Sequence, residues 1–329
     1  MRGWRRARAI AFRLLKVALT VGLVAYLYRL LFVVNDVSQL YMATREGLHP
    51  RFWLLLLLIA SLVPLNLVLE AQKFRVLMQG VGLALPAATR RVCAGIAAGI
   101  WTPNRVGEYA GRLVGAGPGE RTRTVTATLL GGVAQWVPLA VGGVFGAFLV
   151  GDGAGVAETG TLLAAGGIGA VIIVLYLTLE SAVRWALRWS ASYVAREGYF
   201  STAFAKTGGR LVLLVEDDVL SPRNLGSVLL LSSARYGIYL VQISLAYLAF
   251  GLDVPAVTLV AGVAVLLLVQ SFMPVPSAVQ MLARAELSLL IWASYTPNPL
   301  AVTAASLLIL VLNLGMPAFV GLAIILRAR

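Results

Sequence analysis

The sequence is poor in the residues on which many enzymes and metal sites depend. It has one cysteine, Cys93, and one histidine, His49, among 329 residues. A single cysteine cannot form an internal disulfide, a cysteine-based zinc site or an iron–sulfur centre. A single histidine disfavours His-rich metal sites and Ser-His-Asp catalysis. Because no Walker lysine, HExxH zinc site or lipase-type serine turn is present either, we expect no metal, no cofactor and no enzymatic activity.

Charged residues are also scarce. They make up 12% of the chain, whereas apolar residues make up 60%. A soluble domain has about a quarter charged and about half apolar residues. A soluble enzyme of this composition would expose too much apolar surface. The composition therefore predicts an all-α, polytopic membrane bundle that forms one integral membrane domain over 1–329, because helices satisfy their own backbone hydrogen bonds in lipid.

Acids are rarer than bases, which raises the question of nucleic acid binding. The chain has 27 Lys and Arg against 14 Asp and Glu, a formal net charge of +13. The bases cluster at the ends of apolar runs, as in the positive-inside pattern of membrane proteins. We therefore expect no nucleic acid partner. The basic segment 1–16 and the C-terminus, with Arg327 and Arg329, are predicted to be cytoplasmic.

Six apolar runs are long enough to cross a bilayer, which takes about 20 residues of helix. The loop 180–224 between two of these runs is predicted to be cytoplasmic and to contain a helix on the membrane surface, because Arg184 and Arg188 are spaced i, i+4, as are Trp185 and Trp189. The six predicted full spans are 17–34, 52–69, 125–150, 161–179, 225–250 and 300–326.

The segment 92–120 is predicted to be a broken, re-entrant hairpin. Its apolar stretch, 92–101, is half the length of a span, and Pro103 follows it at a break. The flanking residues Arg91 and Arg121 indicate that the chain enters and leaves from the cytoplasmic face. Irregular backbone at membrane depth is tolerated where it is packed in protein or lines a wet cavity.

A second broken hairpin is predicted at 256–295, interrupted by Pro274 and Pro276. Each hairpin follows a span that carries a cation, Lys73 in the first half and Arg235 in the second. The two halves have opposite predicted orientations. Broken helices at matching positions of two inverted halves indicate a substrate site near the midplane, so we hypothesise an inverted repeat.

The first hairpin has the most informative charges. Arg105, Glu108 and Arg112 are spaced i, i+3 and i+7, which places them on one face of a continuous helix. Two arginines against one acid leave an excess of positive charge that suits a phosphate, while Gly107 and Gly111 allow a backbone or a head group to approach closely. The alternative is a salt-bridge cluster that only pins the hairpin.

Other intramembrane polar residues extend this candidate site. Glu70 and Lys73 form a predicted pair that is either part of the site or a solvated pair at the interface. Arg235 lies within a span and needs an acid partner or a ligand, and Arg284 shares a helix face with Gln280. Four further residues complete a polar lining or form helix–helix hydrogen bonds, and these are Asn66, Gln135, Gln270 and Asn313.

The run from Trp101 to Arg112, Trp-Thr-Pro-Asn-Arg-Val-Gly-Glu-Tyr-Ala-Gly-Arg, resembles the signature of the lysylphosphatidylglycerol synthase transmembrane-region family, also called flippase-like. Shorter similar pieces are found at 64–66, 70–73, 129–132 and 234–236. The resemblance implies a bacterial inner-membrane protein related to the part of aminoacyl-phospholipid synthases that moves lipid between leaflets. The soluble transferase domain of those synthases is not recognisable in this sequence.

These observations predict a flippase-like protein that binds or translocates an anionic phospholipid through a cationic intramembrane cavity. The expected partner is a membrane lipid, and association with a second copy or with a separate lipid-modifying protein stays open. Three alternatives also remain: a secondary transporter or channel for a small anion, an intramembrane enzyme with Glu108 as its base, and a non-transporting membrane scaffold.

Overall fold

The computed structural model describes residues 50–100, 102, 105–151, 159–178, 221–273, 277–292, 295–296 and 298–327. Most of these residues are helical and none of them forms a strand, which confirms the predicted all-α class. The predicted span 17–34 and the basic segment 1–16 lie outside the described residues.

The first half of the described chain contains five helices. Proline in the first turn favours the start of α2, because its missing N–H would be unpaired there anyway. A short 3₁₀ turn, Pro118–Glu120, leads directly into the fourth helix. The five helices are α1 (Pro50–Leu77), α2 (Leu85–Gly99), α3 (Gly107–Arg112), α4 (Arg121–Gly151) and α5 (Thr159–Leu177).

The second half contains five further described helices and a π-helical turn. The side chain of Asn298 caps the ninth helix by accepting a hydrogen bond from the Ala301 amide over 3.1 Å. The π turn, Val311–Gly315, joins the last two helices into one continuous rod. The five helices are α6 (Pro222–Ala249), α7 (Ala256–Ser271), α8 (Ser277–Trp292), α9 (Pro299–Leu310) and α10 (Met316–Arg327).

Four described helices are long and apolar enough to cross a membrane. They correspond to the predicted spans 52–69, 125–150, 225–250 and 300–326, and their bounds are Pro50–Leu77, Arg121–Val150, Arg223–Ala249 and Pro299–Arg327. Helix α5 coincides with the predicted span 161–179, but its described apolar stretch, Gly166–Tyr176, is shorter. The described fold is thus all-helical with four candidate membrane-spanning helices, which is consistent with a helical membrane bundle, and the total of six spans remains a prediction.

The first predicted hairpin contains two antiparallel helices. Gly107 of α3 lies against the carbonyl of Ala98 in α2, and Gly111 lies against that of Ala94. Helix α2 begins at Leu85 rather than at Val92. Arg90 and Arg91, which precede Val92, therefore belong to this helix. That this hairpin enters and leaves the membrane from the same face remains a prediction.

The remaining predicted segments are described in part. Helices α7 and α8 pack against each other and correspond to the second predicted hairpin, 256–295. The helix-breaking residues Pro103, Pro274 and Pro276 lie outside the described residues, as do residues 180–220 of the predicted cytoplasmic loop. The last residues of that loop, from Pro222 to Asn224, belong to α6.

Helix α1 is central to the packing. Helix α6 packs along α1, α7 along α4, and α10 along α2. Near its start α1 contributes Ile59 to one buried apolar cluster, and near its end it contributes Phe74 and Leu77 to another. The polar residues of α1 lie between these two apolar contacts, so the fold places charged groups inside the bundle.

Candidate functional site

A buried carboxylate, Glu70, is the centre of the candidate site. Its Oε2 lies 2.7 Å from Lys73 Nζ and 2.5 Å from Arg235 Nη1, and its Oε1 accepts a hydrogen bond from Arg112 Nη2 over 2.6 Å. Glu70 is 5% exposed. One carboxylate therefore bonds three cations and, through Arg112 and Arg235, joins helix α1 to α3 and α6.

A second carboxylate extends the cluster. Glu108 accepts a hydrogen bond from Arg112, and its Oε2 lies 3.3 Å from Nε of Arg105. We call these two acids and their four cations the Glu70 network: Glu70, Lys73, Arg105, Glu108, Arg112 and Arg235. With all six groups ionised, the network has two positive charges in excess.

Neutral groups hold the cations in place. Asn66 Oδ1 accepts a hydrogen bond from Arg235 Nε over 2.6 Å, and the Gly131 carbonyl accepts one from Lys73 Nζ over 3.1 Å. The guanidinium of Arg112 lies 5.0 Å from the centre of the Phe74 ring, within the range of cation–π attraction. These contacts fix the orientation of the side chains but do not cancel their charge.

The cations differ in accessibility. The side chain of Arg105 is 40% exposed, whereas those of Lys73 and Arg112 are 2% and 3% exposed and that of Arg235 is 11% exposed. Arg105 is thus the member of the network that an incoming group can reach most directly. The other cations occupy the interior and are engaged by the two carboxylates.

Arg105 has an unusual backbone conformation. Its φ angle is +56°, in the left-handed region that non-glycine residues rarely adopt. Helix α3 begins only at Gly107, whose amide donates a hydrogen bond to Thr102 Oγ1 over 2.8 Å. The predicted contact of Arg105 with Glu108 is present, but the prediction of one helix face from 105 to 112 was wrong, because a turn precedes the helix.

The two glycines of α3 serve backbone packing. A Cβ atom added at Gly107 or Gly111 would overlap the carbonyl groups of Ala98 and Ala94, respectively. The sequence left open whether a backbone or a head group approaches these glycines. In the structure the neighbouring α2 backbone occupies that space, and Arg112 of the packed α3 reaches Glu70 of α1.

The predicted polar lining is divided between two roles. Gln135 Oε1 lies 3.5 Å from Lys73 Nζ, and Asn66 bonds Arg235, so both contribute to the network. Asn313 donates to Gln242 Oε1 over 3.0 Å, and Gln242 Nε2 in turn donates to the Ile59 carbonyl. This second pair is a helix–helix hydrogen bond, the alternative that the sequence had allowed.

Arg284, the remaining predicted site residue, does not bond to the Glu70 network. It is 3% exposed in α8, and its Nε donates to Gln270 Oε1 of α7 over 2.5 Å. The sequence paired it with Gln280 by helical spacing, and the observed partner lies on the opposite helix of the hairpin instead.

One ion pair was missed entirely. Arg91 Nη2 donates to Glu120 over 2.6 Å and to the Gly115 carbonyl over 2.9 Å. This contact ties the start of the first hairpin to its end. The local sequence offers no signal for it, since the partners are 29 residues apart.

Within the described ranges, no three His, Cys, Asp or Glu residues are grouped so that they could hold a metal ion. No protein-family model, curated protein or solved structure matches this chain. The family resemblance of residues 101–112 therefore stays a prediction, and the functional argument depends on the geometry of the site.

Proposed function

We propose that this chain is a flippase-like membrane protein that binds the phosphate of an anionic phospholipid at the Glu70 network and moves the head group between leaflets. One observation carries the proposal. Four cations share two carboxylates in a largely buried network, and the fourth cation, Arg105, is partly exposed at its edge.

The charge balance favours an anionic ligand. Ionisable groups within a membrane protein are costly, usually pair with one another and mark substrate pathways. Pairing inside the network neutralises two of the four cations. The planar guanidinium of Arg105 has donors in a fork that matches phosphate oxygens, so a phosphate group would offset part of the remaining positive charge.

The roles of the two arginines differ in this proposal from the sequence-based expectation, in which both neutralise the phosphate. Arg112 is buried and bonds both Glu70 and Glu108. We assign it to holding the carboxylates, and we assign the phosphate contact to Arg105. Arg105 lies in a left-handed turn before the helix, and strained backbone of this kind is common at ligand contacts.

A lipid is favoured over a small soluble anion by the neighbour of Arg105. Val106 is 61% exposed, so an apolar side chain adjoins the accessible cation. A ligand with a charged head and apolar tails would use both groups, whereas a small anion would use only the cation. The resemblance of the 101–112 run to flippase-like proteins supports the same substrate class.

The test is a leaflet-exchange assay. The purified chain is reconstituted into vesicles that contain a fluorescent anionic phospholipid, and a membrane-impermeant quencher reports how much of it reaches the outer leaflet. We expect R105Q to slow the exchange at least tenfold, because a charge-assisted hydrogen bond is worth ~1.5–3 kcal/mol. The matched control is R223Q, which removes an exposed arginine at the start of α6, outside the network.

The possible results separate the functions. Wild-type exchange by R105Q would contradict the site assignment. Uptake of radiolabelled inorganic phosphate without lipid exchange would favour the small-anion transporter, and the absence of both activities would favour a scaffold. Equal slowing by R105Q and R223Q would show a general effect of surface charge.

A further inference from the structure

Arg284 is a buried cation that the proposed phosphate contact at Arg105 does not use. It is 3% exposed, and within the described part of the chain its side chain donates one hydrogen bond, from Nε to Gln270. Its Nη1 atom is fully buried and has no hydrogen-bond partner. A guanidinium with a free donor in this position needs an acceptor, because a buried unpaired charge is costly.

No carboxylate of the described chain meets this need. The acid nearest in sequence, Glu286, is two residues further along α8 and therefore projects from a different side of the helix; no ion pair joins it to Arg284. The groups that interact electrostatically with Arg284 are the phenols of Tyr239 and Tyr247. Neither group is a carboxylate.

The C-terminal end of α7 partly stabilises the buried positive charge of Arg284. Gln270 lies in its last turn, where unpaired carbonyls and the helix dipole favour a cation. Two of these carbonyls, Val269 and Gln270, already accept hydrogen bonds from the Phe272 and Met273 amides. The buried Nη1 of Arg284 still has no partner, so the helix end does not complete its coordination.

We infer that Arg284 and Gln270 form a second oxyanion site, within the α7–α8 hairpin, that holds one phosphate group. The site is distinct from the Glu70 network, because among the described residues the side chain of Arg284 bonds Gln270 and no member of that network. The site is enclosed, so its ligand stays with the protein and is not in rapid exchange.

The inference does not rest on the proposed function. A resident phosphate at Arg284 requires no lipid movement, and lipid movement at Arg105 requires no resident phosphate. The phosphate could belong to a lipid head group or to free inorganic phosphate, because the donor chemistry of Arg284 is the same for both.

The experiment measures phosphorus retained per chain. The full-length protein is purified in a phosphate-free, non-phospholipid detergent, washed, and then extracted into organic and aqueous phases. We expect wild type to retain one more phosphate group per chain than R284Q. Its appearance in the organic phase identifies a lipid, and its appearance in the aqueous phase identifies inorganic phosphate.

Controls separate this result from the first site and from misfolding. R223Q should retain as much phosphorus as wild type, and R105Q should still retain the phosphate group that R284Q loses. If R284Q does not fold, R284K is used instead. It keeps the positive charge but lacks the forked set of guanidinium donors, so it should lose the phosphate severalfold faster during washing. Wild-type retention of phosphorus by folded R284Q, or by R284K, would overturn the inference and leave Arg284 as a structural cation.

Discussion

At the scale of single residues, Glu70 and its cations are not equivalent. Removing one cation leaves Glu70 with two others. Removing Glu70 leaves Lys73 without its only acid partner among the described residues, and Arg235 likewise. The carboxylate is therefore the residue on which the buried network depends most.

We expect E70Q to destabilise the protein by ~3–5 kcal/mol, the usual cost of removing one partner of a buried ion pair. Thermal unfolding in detergent, followed by intrinsic fluorescence, measures the effect. E286Q is the matched control: Glu286 is half-buried and forms no described ion pair, so its neutralisation should change stability by less than ~1 kcal/mol.

A second substitution tests the cause of that loss. The double variant E70Q with K73M removes one of the cations that E70Q leaves unpaired, and it should be more stable than E70Q alone. If E70Q unfolds at the temperature of wild type, the network does not contribute to stability as we describe.

At the scale of helices, the close approach of α2 and α3 positions Glu108 and Arg112. We expect G111A to destabilise the protein by ~1–3 kcal/mol, because the added methyl group would overlap the Ala94 carbonyl. Thermal unfolding measures it. G132A in α4 is the control, since no atom lies within 4 Å of its added Cβ, and it should be neutral or stabilising. Equal stability of G111A and wild type would contradict this packing.

The sequence predicted this element only in part. Local spacing identified Arg105, Glu108 and Arg112 and the glycines between them. It could not show that Arg112 and Arg235 meet on Glu70, because these contacts join residues far apart along the chain. It also missed the turn before Gly107, since the periodicity of an ideal helix extends through a local break. The Gln270 partner of Arg284 was also missed because the two residues lie on different helices.

At the scale of the whole molecule, the predicted topology places both ends of the first hairpin in the cytoplasm. Single cysteines introduced into a C93S background at Ala84, Gly119 and Asp253, all exposed, test it with an impermeant thiol reagent. We expect labelling of A84C and G119C only from the cytoplasmic side and of D253C only from outside. Labelling of A84C and G119C from opposite faces would show that the hairpin crosses.

The position of Glu70 also limits how the molecule can move. Its carboxylate, on α1, bonds Lys73 of the same helix, Arg112 of α3 and Arg235 of α6. Helices α1 and α3 belong to the first half of the described chain, and α6 belongs to the second. Neither half can shift along the other without breaking the Glu70–Arg235 ion pair and the Asn66–Arg235 hydrogen bond together. Sliding of the halves should therefore be an all-or-none step between discrete arrangements, as expected of packed interfaces, and a neutralising anion would lower the barrier between them.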